Sequence, residues 1–310
     1  MSDQLRYLAD ADVTAALPGP LRAVELAAQA LRLRAGSAVQ VPPKPQVTFG
    51  ANAFADAMPV AAPGLLGCKW ITLVPANAER GLPTAAGLMV VCDAETGLPV
   101  CVMAAGALTA LRTAAVTGAC LRAFVPTTEP VAFVGTGTQA RSHLRVLAAL
   151  GYAHVTVVGR RAEALTPLQE FAGGLGMEIG VTQSREALRG ARAIVTGLPI
   201  GLHGTQLDCG NLRDDVVLLP LDYASSVGPE LAATCTVWSD DVDQFAAVAP
   251  VKMGERYPPA TGWVGRHLGG PRPSGRLLCQ NLGNAASDIV VAAEVAANAA
   301  QLGLGALLPR

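Results

Sequence analysis

Two glycines and an alanine at G-x-G-x-x-A spacing, Gly135, Gly137 and Ala140, follow the apolar run VAFV at 131–134. They precede a segment of helical spacing from about Gln139 to Leu150. In that strand–turn–helix setting the pattern is a dinucleotide fingerprint. The first glycine permits the tight turn, the second lets the backbone approach a pyrophosphate, and a small third residue lets the helix pack on the strand. The helix N-terminus, at Thr138 and Gln139, adds free N–H groups and positive dipole. The next strand, VTVV at 155–158, ends in Gly159-Arg160-Arg161, where an acid would hold the ribose 2′-hydroxyl of NAD. Two arginines there suit the 2′-phosphate of NADP, because a guanidinium presents forked donors to phosphate oxygens. A solvated basic turn, with NAD held by backbone, is the plainer alternative. The expected cofactor is NADP, with NAD possible.

These residues need elements to position them. Further apolar runs, AIVTGL at 193–198 and VVLLPL at 216–221, alternate with helical segments, the mark of a doubly wound parallel sheet. Upstream, LRAVELAAQALRLR at 21–34 has helical spacing and is stopped by Gly36 and Pro42-Pro43. Between Gly67 and Met103 the runs CKWITLV, GLMVVC and LPVCVM, separated by turn residues, predict an antiparallel meander. ALTALRTAAVTGACLRAFV then reads as a helix that ends before Pro126 and connects two domains. After a Gly/Pro-rich loop at 258–275, the Ala-rich stretch 286–308 reads as one long helix.

The chain of 310 residues is 51% hydrophobic and 15% charged, with 33 Gly and 22 Pro, which fits an ordered α/β protein of two domains. A formal charge of −1 leaves no electrostatic footprint for nucleic acid or an anionic membrane. No apolar run reaches the roughly 18 residues of a membrane span, and MSDQLRYLADADV lacks the pattern of a secretory signal, so a cytoplasmic protein is expected. Seven cysteines form no CxxC pair, and the four histidines show no metal spacing. The acidic cluster Ser239-Asp240-Asp241-Val242-Asp243 is taken as a solvated loop, and no metal is expected.

Several blocks in combination, GLLGCKWITLVPANAERGLPT (64–84), DAETGLPV (93–100), LTALRTAA (108–115) and VGTGTQARSH (134–143), resemble the ornithine cyclodeaminase/μ-crystallin family over nearly the whole length. The resemblance implies a Rossmann domain at 116–285 and an α+β substrate and dimerisation domain built from 1–115 and 286–310. It also implies a homodimer. By the same resemblance Lys69 matches the pocket lysine and Arg112 the arginine that binds the substrate carboxylate beside the cofactor. Thr84, with Gln139 and Ala140, matches cofactor contacts. Asp222, at the end of VVLLPL, takes the place of the acid that touches the substrate amine.

The chain also departs from the cyclodeaminase pattern. An arginine near the Pro-Pro segment is replaced by Lys44, a point charge in place of a fork. The run after the acid is Asp222-Tyr223-Ala224-Ser225-Ser226 and lacks the family's lysine, and a later F-K-S segment becomes Cys279-Gln280-Asn281, where Asn281 is placed to bond nicotinamide or ribose. All these changes belong to the substrate side and imply a different substrate within shared chemistry. The expected function is therefore an NAD(P)-dependent oxidoreductase, a dehydrogenase or imine reductase, acting on a small α-amino or α-imino acid. Arg112, Lys69 and Lys44 would fix the carboxylate, and Lys69 and Asp222 would serve catalysis. The alternative is a cyclodeaminase-like lyase that uses bound NAD to close a diamino acid into a cyclic product with release of ammonia.

Overall fold

The computed structural model describes residues 4–50 and 53–310, so the first three residues of the N-terminal segment read above lie outside it. The chain divides into two compact units, 1–112 with 284–310, and 113–283. The first opens with β1 (Gln4–Leu8), α1 (Asp10–Ala16) and α2 (Pro20–Ala35). It continues through β2 (Gln46–Gly50), β3 (Ala53–Ala62), β4 (Leu65–Leu73), β5 (Ala85–Cys92) and β6 (Pro99–Ala104). The division falls inside α3 (Gly106–Phe124).

The second unit carries β7 (Val131–Val134), α4 (Thr138–Leu150), β8 (Val155–Val158), α5 (Thr166–Gly174) and β9 (Ile179–Thr182). Next come β10 (Ala193–Thr196), β11 (Val217–Pro220), α6 (Pro229–Ala232), β12 (Cys235–Ser239) and α7 (Val242–Lys252). It closes with β13 (Gly262–Trp263), α8 (Val264–His267) and β14 (Arg276–Gln280). The chain then returns to the first unit as α9 (Ala285–Leu302) and β15 (Ala306–Pro309).

The second unit is the Rossmann-type doubly wound sheet. Eight parallel strands run β9-β8-β7-β10-β11-β14-β12-β13. Strand order reverses between β7 and β10, and the crevice at the carboxyl ends there is where such sheets bind ligands. Every residue of β7, β10 and β11 is buried, as a parallel sheet covered on both faces requires.

The first unit is a seven-stranded sheet, β15-β1-β6-β5-β4-β3-β2, antiparallel except where β1 runs parallel to β6. One face packs on α1 and α9, with α2 laid against α9, through a core that includes Leu8, Met58, Met89, Met103, Leu108 and Ile289. The opposite face exposes Trp70 and Leu88, a cross-strand pair that is 47% and 43% accessible.

Three expectations need correction. The meander is only the middle of a larger mixed sheet, because β2, β3, β1 and β15 add strands that the sequence did not mark. The C-terminal helix does not run to residue 308. Gly303 and Gly305 take positive φ, Gly303 caps α9 at Leu302, and residues 306–309 pair with β1 instead. The acidic cluster is no solvated loop: Asp240 and Asp241 are 2% and 1% exposed. Asp240 accepts the backbone N–H groups of Leu282 and Gly283, and Asp241 caps α7 through the N–H of Gln244. Among the described residues no helix is long and apolar enough to cross a membrane, and no group of His, Cys, Asp or Glu is arranged to hold a metal ion.

Candidate functional site

Two groups of residues are the candidates for chemistry, one in each unit. In the parallel sheet, β7 runs into α4 through Gly135-Thr136-Gly137. Gly135 has φ 129°, its N–H donates to the Val158 carbonyl at 2.9 Å, and a Cβ there would stand 2.7 Å from the Gly197 carbonyl oxygen. Only glycine fits. Gly137, the N-cap of α4, is different: a Cβ would meet nothing within 4 Å, so its backbone borders open space. Thr138 is exposed at the start of α4, Ala140 is fully buried, and the side-chain Oε1 of Gln139 is buried without a partner.

His143 stabilises this turn from below. Its Nδ1 bonds the Gln139 carbonyl at 2.8 Å and its Nε2 lies 3.0 Å from the Thr117 hydroxyl on α3. Burial pushes its pKa down to about 4, so the ring is neutral and its role is structural. At the end of β8, Gly159 packs against the glycine turn, where a Cβ would come within 2.5 Å of Thr136 Cγ2. That contact sets Arg160 and Arg161 beside the turn, both exposed; Arg161 pairs loosely with Glu163 at 3.9 Å.

The open cradle at Gly137 and the free backbone N–H groups at the α4 N-terminus together fit a dinucleotide pyrophosphate.

Asp222 follows β11 and is fully buried. One oxygen accepts the Leu198 N–H at 3.0 Å, and the other accepts the Ser226 hydroxyl at 2.6 Å, which in turn lies 2.5 Å from Thr196 Oγ1. Burial pushes its pKa up to about 6 against the pull of those donors. Asn281, just beyond β14, is buried; its amide donates to the Thr113 carbonyl at 3.4 Å and its oxygen accepts the Gly283 N–H. The structure therefore engages Asn281 in holding its own loop.

In the first unit, Lys69 sits at the centre of β4, between Met58 on β3 and Met89 on β5, and its side chain is 1% exposed. Strand alternation turns Lys69 and Gly67 to the face that carries α9 and turns Trp70 outward. Gly67 is small enough for Ile289 to approach, since a Cβ there would come within 2.8 Å of Ile289 Cδ1. Asp288, the neighbour of Ile289, is thereby brought to Lys69. Its Oδ1 accepts a hydrogen bond from Lys69 Nζ at 2.7 Å and lies 2.8 Å from Arg112 Nε. Arg112 Nη1 and Asp288 Oδ2 are buried without a hydrogen-bond partner.

Burial is the largest influence on Lys69; with Arg112 it overcomes the attraction of Asp288 and lowers the Lys69 pKa to about 7. Burial opposes ionisation of Asp288, but Arg112 and Lys69 together hold it below the ordinary carboxylate range. Lys44, partly exposed, acts on both through its charge. Thr84 lies apart from this trio, in an exposed turn whose carbonyl accepts the Val74 N–H.

Asp288 is the residue that sequence reasoning missed. A signal existed: it is the sole charged side chain between Arg276 and Glu294, in the first turn of an apolar helix. A carboxylate buried there needs a cation, and Lys69 and Arg112 supply two. Such a set can take one anionic group from a ligand and can move a proton at Lys69 Nζ near neutral pH.

A family model, that of the ornithine cyclodeaminase/mu-crystallin family, matches residues 12–200. Delta(1)-pyrroline-2-carboxylate reductase 1 of Burkholderia multivorans is 36% identical over 264 residues, 79% of this chain and 84% of that protein. Nodulation efficiency protein NfeD of Rhizobium meliloti is 28% identical over 320 residues, 98% of each chain. Among solved structures, an archaeal alanine dehydrogenase dimer with bound NAD is 25% identical and superposes with a TM-score of 0.84 over 98% of this chain and 99% of that one.

Proposed function

Because the chain belongs to the ornithine cyclodeaminase/mu-crystallin family, we propose that it is an NAD(P)-dependent oxidoreductase that reduces a small α-imino acid or oxidises the matching α-amino acid. The observation that carries this reading is the buried pair of cations, Lys69 and Arg112, with Arg112 Nη1 left unpartnered. A buried guanidinium donor without a partner is costly unless a ligand satisfies it, and a carboxylate fits it. The relatives support the substrate class, since the Burkholderia protein is a reductase of a cyclic imino acid and the archaeal structure an alanine dehydrogenase.

In this reading the first unit binds substrate and the β7–α4 turn of the second binds the dinucleotide. The nicotinamide supplies and accepts the hydride. Arg112, with Lys69 and Lys44, holds the carboxylate and so orients the reacting carbon, which is catalysis by positioning. Lys69 Nζ carries the proton exchanged with the substrate nitrogen. Asp222, at the carboxyl end of β11 where such sheets bind ligands, stabilises the positive charge on that nitrogen. Gly135, Gly137, Thr138, Gln139 and Ala140 form the pyrophosphate cradle.

NADP is the favoured form, because Arg160 and Arg161 stand exposed beside the turn where NAD enzymes place an acid. The exposed apolar face around Trp70 and Leu88 supports a homodimer; Trp70→Glu is expected to yield monomers in size-exclusion chromatography with light scattering. Seven free thiols suit the cytoplasm.

The test is oxidation of NADPH and NADH at 340 nm with cyclic imines and with 2-oxo acids plus ammonia, beside an ammonia assay on ornithine and lysine. Stoichiometric cofactor oxidation is expected. Ammonia release from a diamino acid with no net absorbance change would make the chain a cyclodeaminase and overturn the reading.

A further inference from the structure

Asp288 occupies an unusual position for a structural acid. Both of its cationic partners meet a single oxygen, Oδ1, at 2.7 and 2.8 Å, while Oδ2 is buried and unpartnered. The three side chains come from β4, α3 and the first turn of α9, far apart in sequence, and all are nearly or fully buried. Counted together they leave one surplus positive charge. Lys44 is a further group whose charge acts on both Lys69 and Asp288, and β3 turns one acid to this side, Asp56, held by the Gln46 amide at 2.7 Å. The strands flanking Lys69 present methionines.

From this geometry we infer, resting on the functional reading above, that Asp288 is a positioning residue. It is a resident counter-anion that keeps Lys69 protonated beside Arg112 and limits the pocket to substrates with one carboxylate. Lys69 Nζ is held in place by Oδ1, so its proton points along a fixed direction. A second carboxylate on the substrate would enter a buried site whose cations are already matched by Asp288 and by the first carboxylate, and would find no partner. Asp288 has a first-turn position on α9 whose positive dipole end favours its anionic form.

The experiment is an NMR titration of Lys69 in protein labelled with 15N at the lysine side-chain nitrogen, assigned with Lys69→Met. In Asp288→Asn, the proton affinity of Lys69 is expected to fall at least tenfold, and Asp288→Glu is expected to restore it. In turnover, Asp288→Asn is expected to move the alkaline limb of kcat/KM to lower pH. Assayed at a pH low enough to keep Lys69 protonated in the variant, it is also expected to lower the preference for pyruvate over 2-oxoglutarate, each with ammonia, by at least tenfold.

A folded Asp288→Asn protein with an unmoved Lys69 titration and an unchanged preference would overturn the inference, leaving Asp288 as packing only. Should that variant fail to fold, the double variant Lys69→Met/Asp288→Asn removes the pair together and restores the surplus charge. It is expected to bind pyrrole-2-carboxylate at least tenfold more tightly than Lys69→Met alone, and equal binding would sink the proposal. Neither the titration nor the binding needs turnover, so their failure is distinct from failure of the NADPH assay.

Discussion

The two candidate sites are built in opposite ways. The turn between β7 and α4 is contiguous, made largely of backbone, and bordered by open space at Gly137. The Lys69, Arg112 and Asp288 cluster joins residues up to 219 positions apart, works through side chains, and is almost wholly buried. A backbone site tolerates side-chain change except where a Cβ intrudes. A buried ionic site tolerates almost none, because removing one member strands the others in low dielectric.

The sharpest way to break that comparison is Lys69→Met, expected to lower kcat by about 100- to 10,000-fold, the range lost with a general acid. Arg112→Lys keeps the charge but loses the fork, and about a tenfold to hundredfold rise in KM is expected, with steady-state kinetics as the check. If either substitution were silent, the cluster would be structural and the contrast would collapse.

The glycines test the other side. Gly135→Ala drives a Cβ toward the Gly197 carbonyl at positive φ, so a stability loss of about 1–3 kcal/mol is expected in thermal or urea unfolding. Gly137→Ala, facing open space, is expected to leave unfolding unchanged while weakening NADPH binding in a fluorescence titration. Equal effects of the two on stability would show that the cradle is packing rather than a ligand site. For Arg160→Glu, about a tenfold shift of preference from NADPH toward NADH is expected, the size of one charge-assisted contact.

The last test is in pH. The Asp222 pKa rises from 3.8 in the unfolded chain to about 6, so between those values the folded protein binds the extra proton. Its contribution to stability is therefore present at low pH and is lost as pH rises through 6. Comparing Asp222→Asn with the parent by thermal melts at pH 4 to 7 should show the parent falling relative to the variant over that interval. A parallel course would place Asp222 outside the titration.

How much was legible follows from the same contrast. The fingerprint at 133–140 is local, and its glycines answer to backbone sterics that act within a few residues, so the sequence marks strand, turn and helix together. The strand β3, AFADAMPVAA, was not marked, because alanine and proline have low strand propensity and only pairing with β4 along its whole length makes it a strand. Asp240 and Asp241 looked like solvated charge, yet both are buried, and backbone N–H groups 42 and 43 positions away bond the first of them. Asp288 escaped notice for a similar reason: nothing within its own helix shows that Lys69 and Arg112 will meet it.

By itself the sequence determined the doubly wound sheet and the position of the glycine turn, since periodicity, turn chemistry and fingerprint spacing act over short range, whereas Lys69, Arg112 and Asp222 stood out only through the family resemblance. Tertiary structure alone decided that the last residues pair with β1, and that Gly67 lets α9 close on β4 and deliver Asp288 to two cations. Burial and charge depend on what surrounds a group in space, and chain order does not encode that.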